Sequence, residues 1–148
     1  MRRINEFSMD FLAKSNNEGL ARSVVGVFAS QLDPTVDEIA DIKTAVSEAV
    51  TNCVVHAYSG KKYQNGENKI HIHCVLFDCG IEITIEDYGR GIENVELARQ
   101  AMYTTSPDTE RSGLGFTIME SFTDKMDVVS RPDEGTKITM LKLIKNLQ

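Results

Sequence analysis

A two-layer α+β sandwich, with helices covering one face of a mixed, mostly antiparallel sheet, is the fold class predicted by this 148-residue sequence. Apolar residues alternate with other residues along several separate stretches, which is the period of half-buried strands. Other stretches repeat their apolar residues every three to four positions, the period of helices with one buried face. No repeat and no low-complexity linker divides the chain, so a single domain over residues 1–148 is expected.

The elements follow in order. Phe7, Met9 and Phe11 alternate with polar residues and predict a first strand. Ser15-Asn16-Asn17-Glu18 has the spacing of a capping box and opens a helix carrying Leu20, Val24, Val27 and Phe28 on one face. A second helix is announced by Asp33-Pro34-Thr35, with Glu38 three residues after Thr35. It carries Ile39, Ile42, Val46, Ala49, Val50 and Cys53 at helical spacing and should run to about His56. Ser59 to Asn68 is a polar loop. Ile70, Ile72, Cys74 and Leu76 form the next strand, and Asp78-Cys79-Gly80 turns the chain. Ile81, Ile83 and Ile85 then alternate with Glu82, Thr84 and Glu86, completing a hairpin with one buried face. A short helix is expected around residues 95–98 and a third main helix at Ile118, Met119 and Phe122. Val128-Val129 and residues 138–141 close the chain as a hairpin around Asp133-Glu134-Gly135.

Composition narrows the function classes. The chain is 41% hydrophobic and 26% charged, the balance of a globular domain. Its net charge is −6, from 22 acidic and 16 basic residues without a dense Lys/Arg run, so nucleic acid is not the expected partner. The start, Met1-Arg2-Arg3-Ile4-Asn5-Glu6, lacks the apolar stretch of a signal peptide, and no apolar run reaches transmembrane length. Cys53, Cys74 and Cys79 are an odd count at unrelated spacings, which argues against a disulfide framework. A cytoplasmic location without membrane contact is the expectation.

Four groups of residues carry candidate chemistry. Glu48, Asn52 and His56 recur every four residues on the second helix, so they stack along one stripe opposite the core-facing side. A neutral amide oxygen beside a carboxylate suits a Mg²⁺ ligand paired with a general base, although an isolated Glu/Asn pair at this spacing is more often a solvated face. Asp87-Tyr88-Gly89-Arg90-Gly91 ends a strand; its glycines let backbone approach a ligand, and its Asp can accept from an amine. Alone it reads as an ordinary acidic turn. Arg111-Ser112-Gly113-Leu114-Gly115-Phe116 leads into a helix and offers N–H groups and a cation to a polyphosphate. The small, polar stretch from Thr104 to Ser112 reads as a lid. Gly135-Thr136 adds a hydroxyl at the start of the last strand. A P-loop, a complete G-x-G-x-x-G fingerprint and the protein-kinase signature set are all missing. His71, His73 and Cys74 lack a second ligand pair, so they read as a half-exposed strand rather than a metal site.

Taken together, Glu48-Ala49-Val50-Thr51-Asn52, Asp87-x-Gly89-x-Gly91, Gly113-x-Gly115 and Gly135-Thr136 resemble the ordered boxes of one ATP-binding superfamily. Its members include gyrase B, a class of heat-shock chaperones, sensor histidine kinases and the mismatch-repair protein MutL. Within it, residues 47–52 and 110–120 look like the small anti-sigma-factor serine kinases, those of sporulation in particular. The similarity runs from Phe11 nearly to the end of the chain and includes residues 31–35. It implies a Bergerat-type ATP-binding fold and a protein that binds and inhibits a sigma factor. It also implies a homodimer that phosphorylates a serine on a STAS-type anti-anti-sigma partner with Mg-ATP, the ADP state also being bound.

Carried over by position, Glu48 would be the base, Asn52 the Mg²⁺ ligand and Asp87 the reader of adenine. Gly89 and Gly91 would shape the adenine pocket, with Thr136 supporting Asp87. Thr104, Thr105, Arg111, Ser112, Gly113, Leu114, Gly115 and Phe116 would wrap the phosphates. Two positions depart from the pattern: Ser106 stands where a lysine is expected and Ala57 where glycine is usual. Arg22, off the apolar stripe of the first helix, is the candidate contact for protein partners. Two further readings are a nucleotide-switched binding module without kinase activity and a general stress-type anti-sigma kinase.

Overall fold

The computed structural model describes residues 1–63, 66–100 and 114–147. The chain runs β1 (Arg3–Leu12), α1 (Asn16–Ala29), α2 (Val36–Asn52), β2 (Lys69–Phe77), β3 (Gly80–Asp87), α3 (Val95–Ala98), α4 (Gly115–Ser121), β4 (Lys125–Arg131) and β5 (Gly135–Leu143). The strands form one sheet in the order β1-β2-β3-β5-β4. All four ladders are antiparallel, so the mixed sheet expected from the sequence resolves into a purely antiparallel one.

The alternation read from the sequence sets which side chains face the helices. Ile70, Ile72, Cys74 and Leu76 of β2 and Ile81, Ile83 and Ile85 of β3 are buried, as are Ile138 and Met140 of β5. Ile42, Val46, Ala49 and Val50 of α2, Ala21 and Val25 of α1 and Met119 of α4 close the core from above. Each large aliphatic side chain withdrawn from water contributes on the order of 1.5–3 kcal/mol, so this interlayer holds the sheet to the helices. The opposite face of the sheet carries cross-strand polar pairs. His71 Nδ1 lies 2.7 Å from Asp10 and His73 Nε2 lies 2.8 Å from Glu6, so these histidines belong to a solvated strand face. Among the described residues no group of three or more His, Cys, Asp or Glu converges as a metal site.

The two main helices start differently. Thr35 Oγ1 accepts from Glu38 N at 3.1 Å while Glu38 Oε1 accepts from Thr35 N at 2.9 Å, so the capping box at α2 is complete. At α1 the same spacing makes no box. Ser15 is itself in the right-handed helical region and makes no side-chain cap bond, and the Glu18 carboxylate turns forward to Arg22 Nη1 at 2.7 Å. A cap needs extended backbone at the N-cap residue, and Ser15 does not adopt it.

The buried face of α1 also differs from the expected one. Ala21, Val25, Gly26 and Ala29 face inward, Val24 and Phe28 are half-buried, and Leu20 and Val27 are exposed at 48% and 72%. Small residues win because α1 packs closely on α2: a β-carbon at Gly26 would stand 2.7 Å from Lys43 Cε. At the other end of the helical layer, Phe122 comes directly after α4 and lies partly exposed rather than in the core.

Candidate functional site

The inward-facing alternation of β3 runs Ile81, Ile83, Ile85 and then Asp87, so the period that builds the core also buries a carboxylate. In register, Phe11 of β1, Ile70 of β2, Asp87 of β3, Thr136 of β5 and Ser130 of β4 form one row across the sheet. The first two are apolar and the last three polar. Asp87 and Thr136 of that row floor a cavity of about 580 Å³, a size in the range of small-ligand sites. Asn52, Gly91, Gly115, Phe116 and Leu97 are among its walls.

Asp87 is held from several sides. Its Oδ1 accepts from Gly89 N at 3.0 Å and from Thr136 N at 3.3 Å. Its Oδ2 accepts from the Cys53 thiol at 3.5 Å. Burial pushes the Asp87 carboxyl above the ordinary range, more than these three donors pull it down. Burial, reinforced by the neighbouring carboxylate, pushes the Cys53 thiol up as well, so it remains a donor. The backbone amides thus occupy Oδ1, and Oδ2 carries only the weaker thiol donor.

The loop after Asp87 is fixed by close backbone approach. Arg90 N donates to Ala57 O at 2.9 Å, and Asp133 N donates to Arg90 O at 2.7 Å. A β-carbon at Gly89 would lie 2.1 Å from Ala57 O, and one at Gly91, where φ is +73°, would lie 2.0 Å from Arg131 O. Glycine is required at both by geometry.

The helical wall is built by α2 and the turn that continues it. The sequence predicts a helix to about His56, but α2 ends at Asn52 and gives way to a π-helical turn, Cys53–Ala57. The wider turn places Cys53 against Asp87 and delivers Ala57 O to the loop containing Gly89 and Arg90. Asn52, Cys53, His56 and Ala57 all line the cavity. Across from them, a β-carbon at Gly115 would stand 3.2 Å from Asn52 Oδ1 and 3.6 Å from Glu48 Oε2. The start of α4 therefore sits directly on the Glu48–Asn52 pair.

A family model described as a histidine kinase-like ATPase domain matches residues 11–142. Curated relatives carry the name anti-sigma F factor. The one from Oceanobacillus iheyensis is 49% identical over 138 residues, covering 93% of this chain and 92% of its own. That from Clostridium perfringens strain ATCC 13124 is 52% identical over 139 residues, covering 93% and 96%. The chain belongs to the anti-sigma F factors, within the histidine kinase-like ATPases. A crystal structure of RsbU and RsbW domains from Mycobacterium tuberculosis matches the fold with a TM-score of 0.66. It is 19% identical and spans 95% of this chain and 33% of that one, so the likeness is one of fold alone.

Within this ATPase domain, Asn52, Asp87, Gly91, Gly115, Phe116 and Thr136 line the cavity. Gly89 stands behind it against Ala57, and Glu48 meets it through Gly115. Leu114 caps α4. Arg22 is remote, exposed on α1 and paired with Glu18. Thr104, Thr105, Arg111, Ser112 and Gly113, together with Ser106, lie outside the described residues. Three contributors are not evident from sequence: Cys53, which reads as core; Ser130, on a strand marked only by its valines; and Ile92, whose N–H is held by Ser130. Only Cys53 leaves a signal there, by falling one residue after Asn52 on the predicted helix.

Proposed function

We propose that this chain is an anti-sigma factor that inhibits a sporulation sigma factor. It phosphorylates a serine of a STAS-type anti-anti-sigma partner with Mg-ATP, acting in the cytoplasm as a homodimer. The observation that carries this reading is a cavity lined both by a buried, amide-fixed carboxylate and by Asn52, with Glu48 behind Gly115. The names of the relatives support the sigma-factor half; the pairing of a base with an amide oxygen supports the kinase half. A pure nucleotide switch has no use for the base.

The residues present fit Mg²⁺. Asn52 Oδ1 is a hard, neutral oxygen, and Mg²⁺ is ordinarily held by one or two protein oxygens together with substrate phosphates and water rather than by an all-protein cage. When bound, it neutralises charge across the phosphate oxygens. Asp87 Oδ2 takes a hydrogen bond from an exocyclic amine of the base, which orients the nucleotide so that its phosphates run toward Asn52. Glu48 takes the proton of the incoming serine hydroxyl as that oxygen bonds to the γ-phosphorus. The bond from phosphorus to the β,γ-bridging oxygen breaks and ADP leaves with the electron pair. Arg22 offers an exposed guanidinium on α1 to the protein partners.

The test is transfer of labelled phosphate from Mg-ATP to a STAS-domain protein, wild type beside Glu48→Ala, with nucleotide affinity measured on both. General-base assistance is typically worth about 10²–10⁴-fold, so Glu48→Ala should lose transfer by that order and keep its nucleotide affinity. Transfer at the wild-type rate in the variant removes Glu48 from the role. Binding without transfer by the wild type makes the chain a nucleotide-switched binding module.

A further inference from the structure

Ser130 is the last member of the row that contains Asp87 and Thr136, and it makes three hydrogen bonds at once. Its Oγ accepts from Ile92 N at 2.8 Å, lies 3.0 Å from Gly135 O and lies 2.7 Å from Thr136 Oγ1. A hydroxyl has one proton and two lone pairs. Ile92 N–H can only donate and Gly135 O can only accept. One assignment satisfies all three contacts: Ser130 donates to Gly135 O and accepts from both Ile92 N and Thr136 Oγ1. Thr136 must then direct its own proton to Ser130.

We propose that Ser130 is a positioning residue for base selection, because it fixes the Thr136 hydroxyl so that only lone pairs face the cavity. Thr136 and Asp87 both line the cavity, so the Thr136 lone pairs and Asp87 Oδ2, which carries only the weak Cys53 thiol donor, are the acceptors offered there. With position 6 of the base seated at Asp87, these acceptors take the protons of a 6-amino group and oppose a 6-oxo group, whose carbonyl oxygen would meet lone pairs. Ser130 also ties the loop after Gly91 to the strand that carries Thr136, so the acceptor wall is one connected piece. The inference rests on the proposed seating of the base at Asp87.

The experiment compares binding of ATP and inosine triphosphate, which differ in the base only at position 6 and its adjoining N1 proton. Wild type, Ser130→Ala and Ser130→Thr are titrated, with melting temperature recorded for each. Removing the Ser130 hydroxyl frees Thr136 to turn and donate to a carbonyl. The ATP-over-inosine-triphosphate preference should therefore fall about five- to tenfold in Ser130→Ala and be retained in Ser130→Thr. In a Thr136→Val background the same Ser130→Ala change should leave the preference unmoved, which a merely structural role would not predict. Equal weakening of both nucleotides in Ser130→Ala, or an unchanged ratio, overturns the proposal. A wild type that does not distinguish the two nucleotides overturns instead the seating of the base at Asp87. Should Ser130→Ala fail to fold, Ser130→Cys keeps the volume with a poor hydrogen-bonding group and is expected to show the same loss of preference.

Discussion

Two carboxylates of equal solvent exposure but unequal depth, Glu38 near the surface and Asp87 farther inside, are perturbed in opposite directions. Each is 5% exposed. Glu38 lies where the C-terminal segment crosses the start of α2, and its Oε2 accepts from Lys145 N at 2.9 Å while Oε1 accepts from Thr35 N. Those backbone donors hold its carboxyl below the ordinary range. Asp87 also has donors, but they are grouped on Oδ1, with a weak thiol on Oδ2, and burial prevails. One carboxylate is satisfied by the fold; the other is left partly unsatisfied at a cavity. Low solvent exposure by itself therefore does not mark a site. Burial with an oxygen left for a visitor does.

Replacing Asp87 with Asn breaks that comparison most strongly. The amide keeps an oxygen for Gly89 N and Thr136 N but turns the remaining acceptor into a donor. Loss of a charged hydrogen bond to the base should weaken ATP binding by about 10- to 100-fold, read by titration calorimetry. Stability should move the other way. A carboxyl whose folded pKa is raised favours the fold below its unfolded value of about 3.9 and loses that contribution as pH rises through the folded value. Without nucleotide, the Asn variant should gain stability relative to wild type as pH rises, in urea titrations run across that window. A variant that binds ATP normally would remove Asp87 from base recognition.

Glu38→Gln is the opposing control, with a smaller effect. It removes a charged acceptor from backbone donors and should cost about 1–2 kcal/mol near neutral pH, with nucleotide affinity unchanged. Its folded pKa is lowered, so the wild-type advantage is present above the unfolded value of about 4.3 and is lost as pH falls through the folded one. The pH profiles of the two variants should therefore slope in opposite senses. Parallel profiles would show that the two carboxylates are not distinguished by their surroundings as the geometry implies.

Much of this architecture is legible in the sequence because it obeys simple periods. The alternation of β2 and β3 assigns the buried face, and continuing it by one step already places Asp87 inward. Glycine spacing after Asp87 and at Gly135 anticipates the close backbone contacts at Ala57 O and Asp87 O. The periods do not encode the π-helical turn at Cys53–Ala57, since its sequence, Cys-Val-Val-His-Ala, continues an α-helical pattern. Its cause is tertiary: Ala57 O is taken by Arg90 N, and Tyr58 Oη bridges Lys69 O and Tyr88 N. The buried face of α1 departs from its pattern for a related reason. Hydrophobicity favours Leu20 and Val27, whereas close packing on α2 favours Ala21, Val25 and Gly26. Ser130 carries no periodic signal, because its role depends on where neighbouring hydroxyls direct their protons.

The smallest expected effect concerns the same Glu38 at its helix end. Thr35→Ala deletes the acceptor for Glu38 N but leaves the Glu38–Lys145 bond in place, so it separates the cap from the strap. Losing an N-cap hydroxyl costs typically about 1 kcal/mol, and Thr35→Ala should cost that much in urea unfolding without altering nucleotide affinity. Ser15→Ala, at the same sequence spacing from Glu18, should change stability by no more than about a few tenths of a kcal/mol, since Ser15 makes no cap bond. Equal costs at the two positions would mean that the Ser15 hydroxyl caps α1 in solution. Unequal costs in the expected order would show that the S/T-x-x-E spacing stabilises a helix only where the preceding backbone is extended, as at Thr35 with ψ of 164°, and not where it is already helical, as at Ser15 with ψ of −31°.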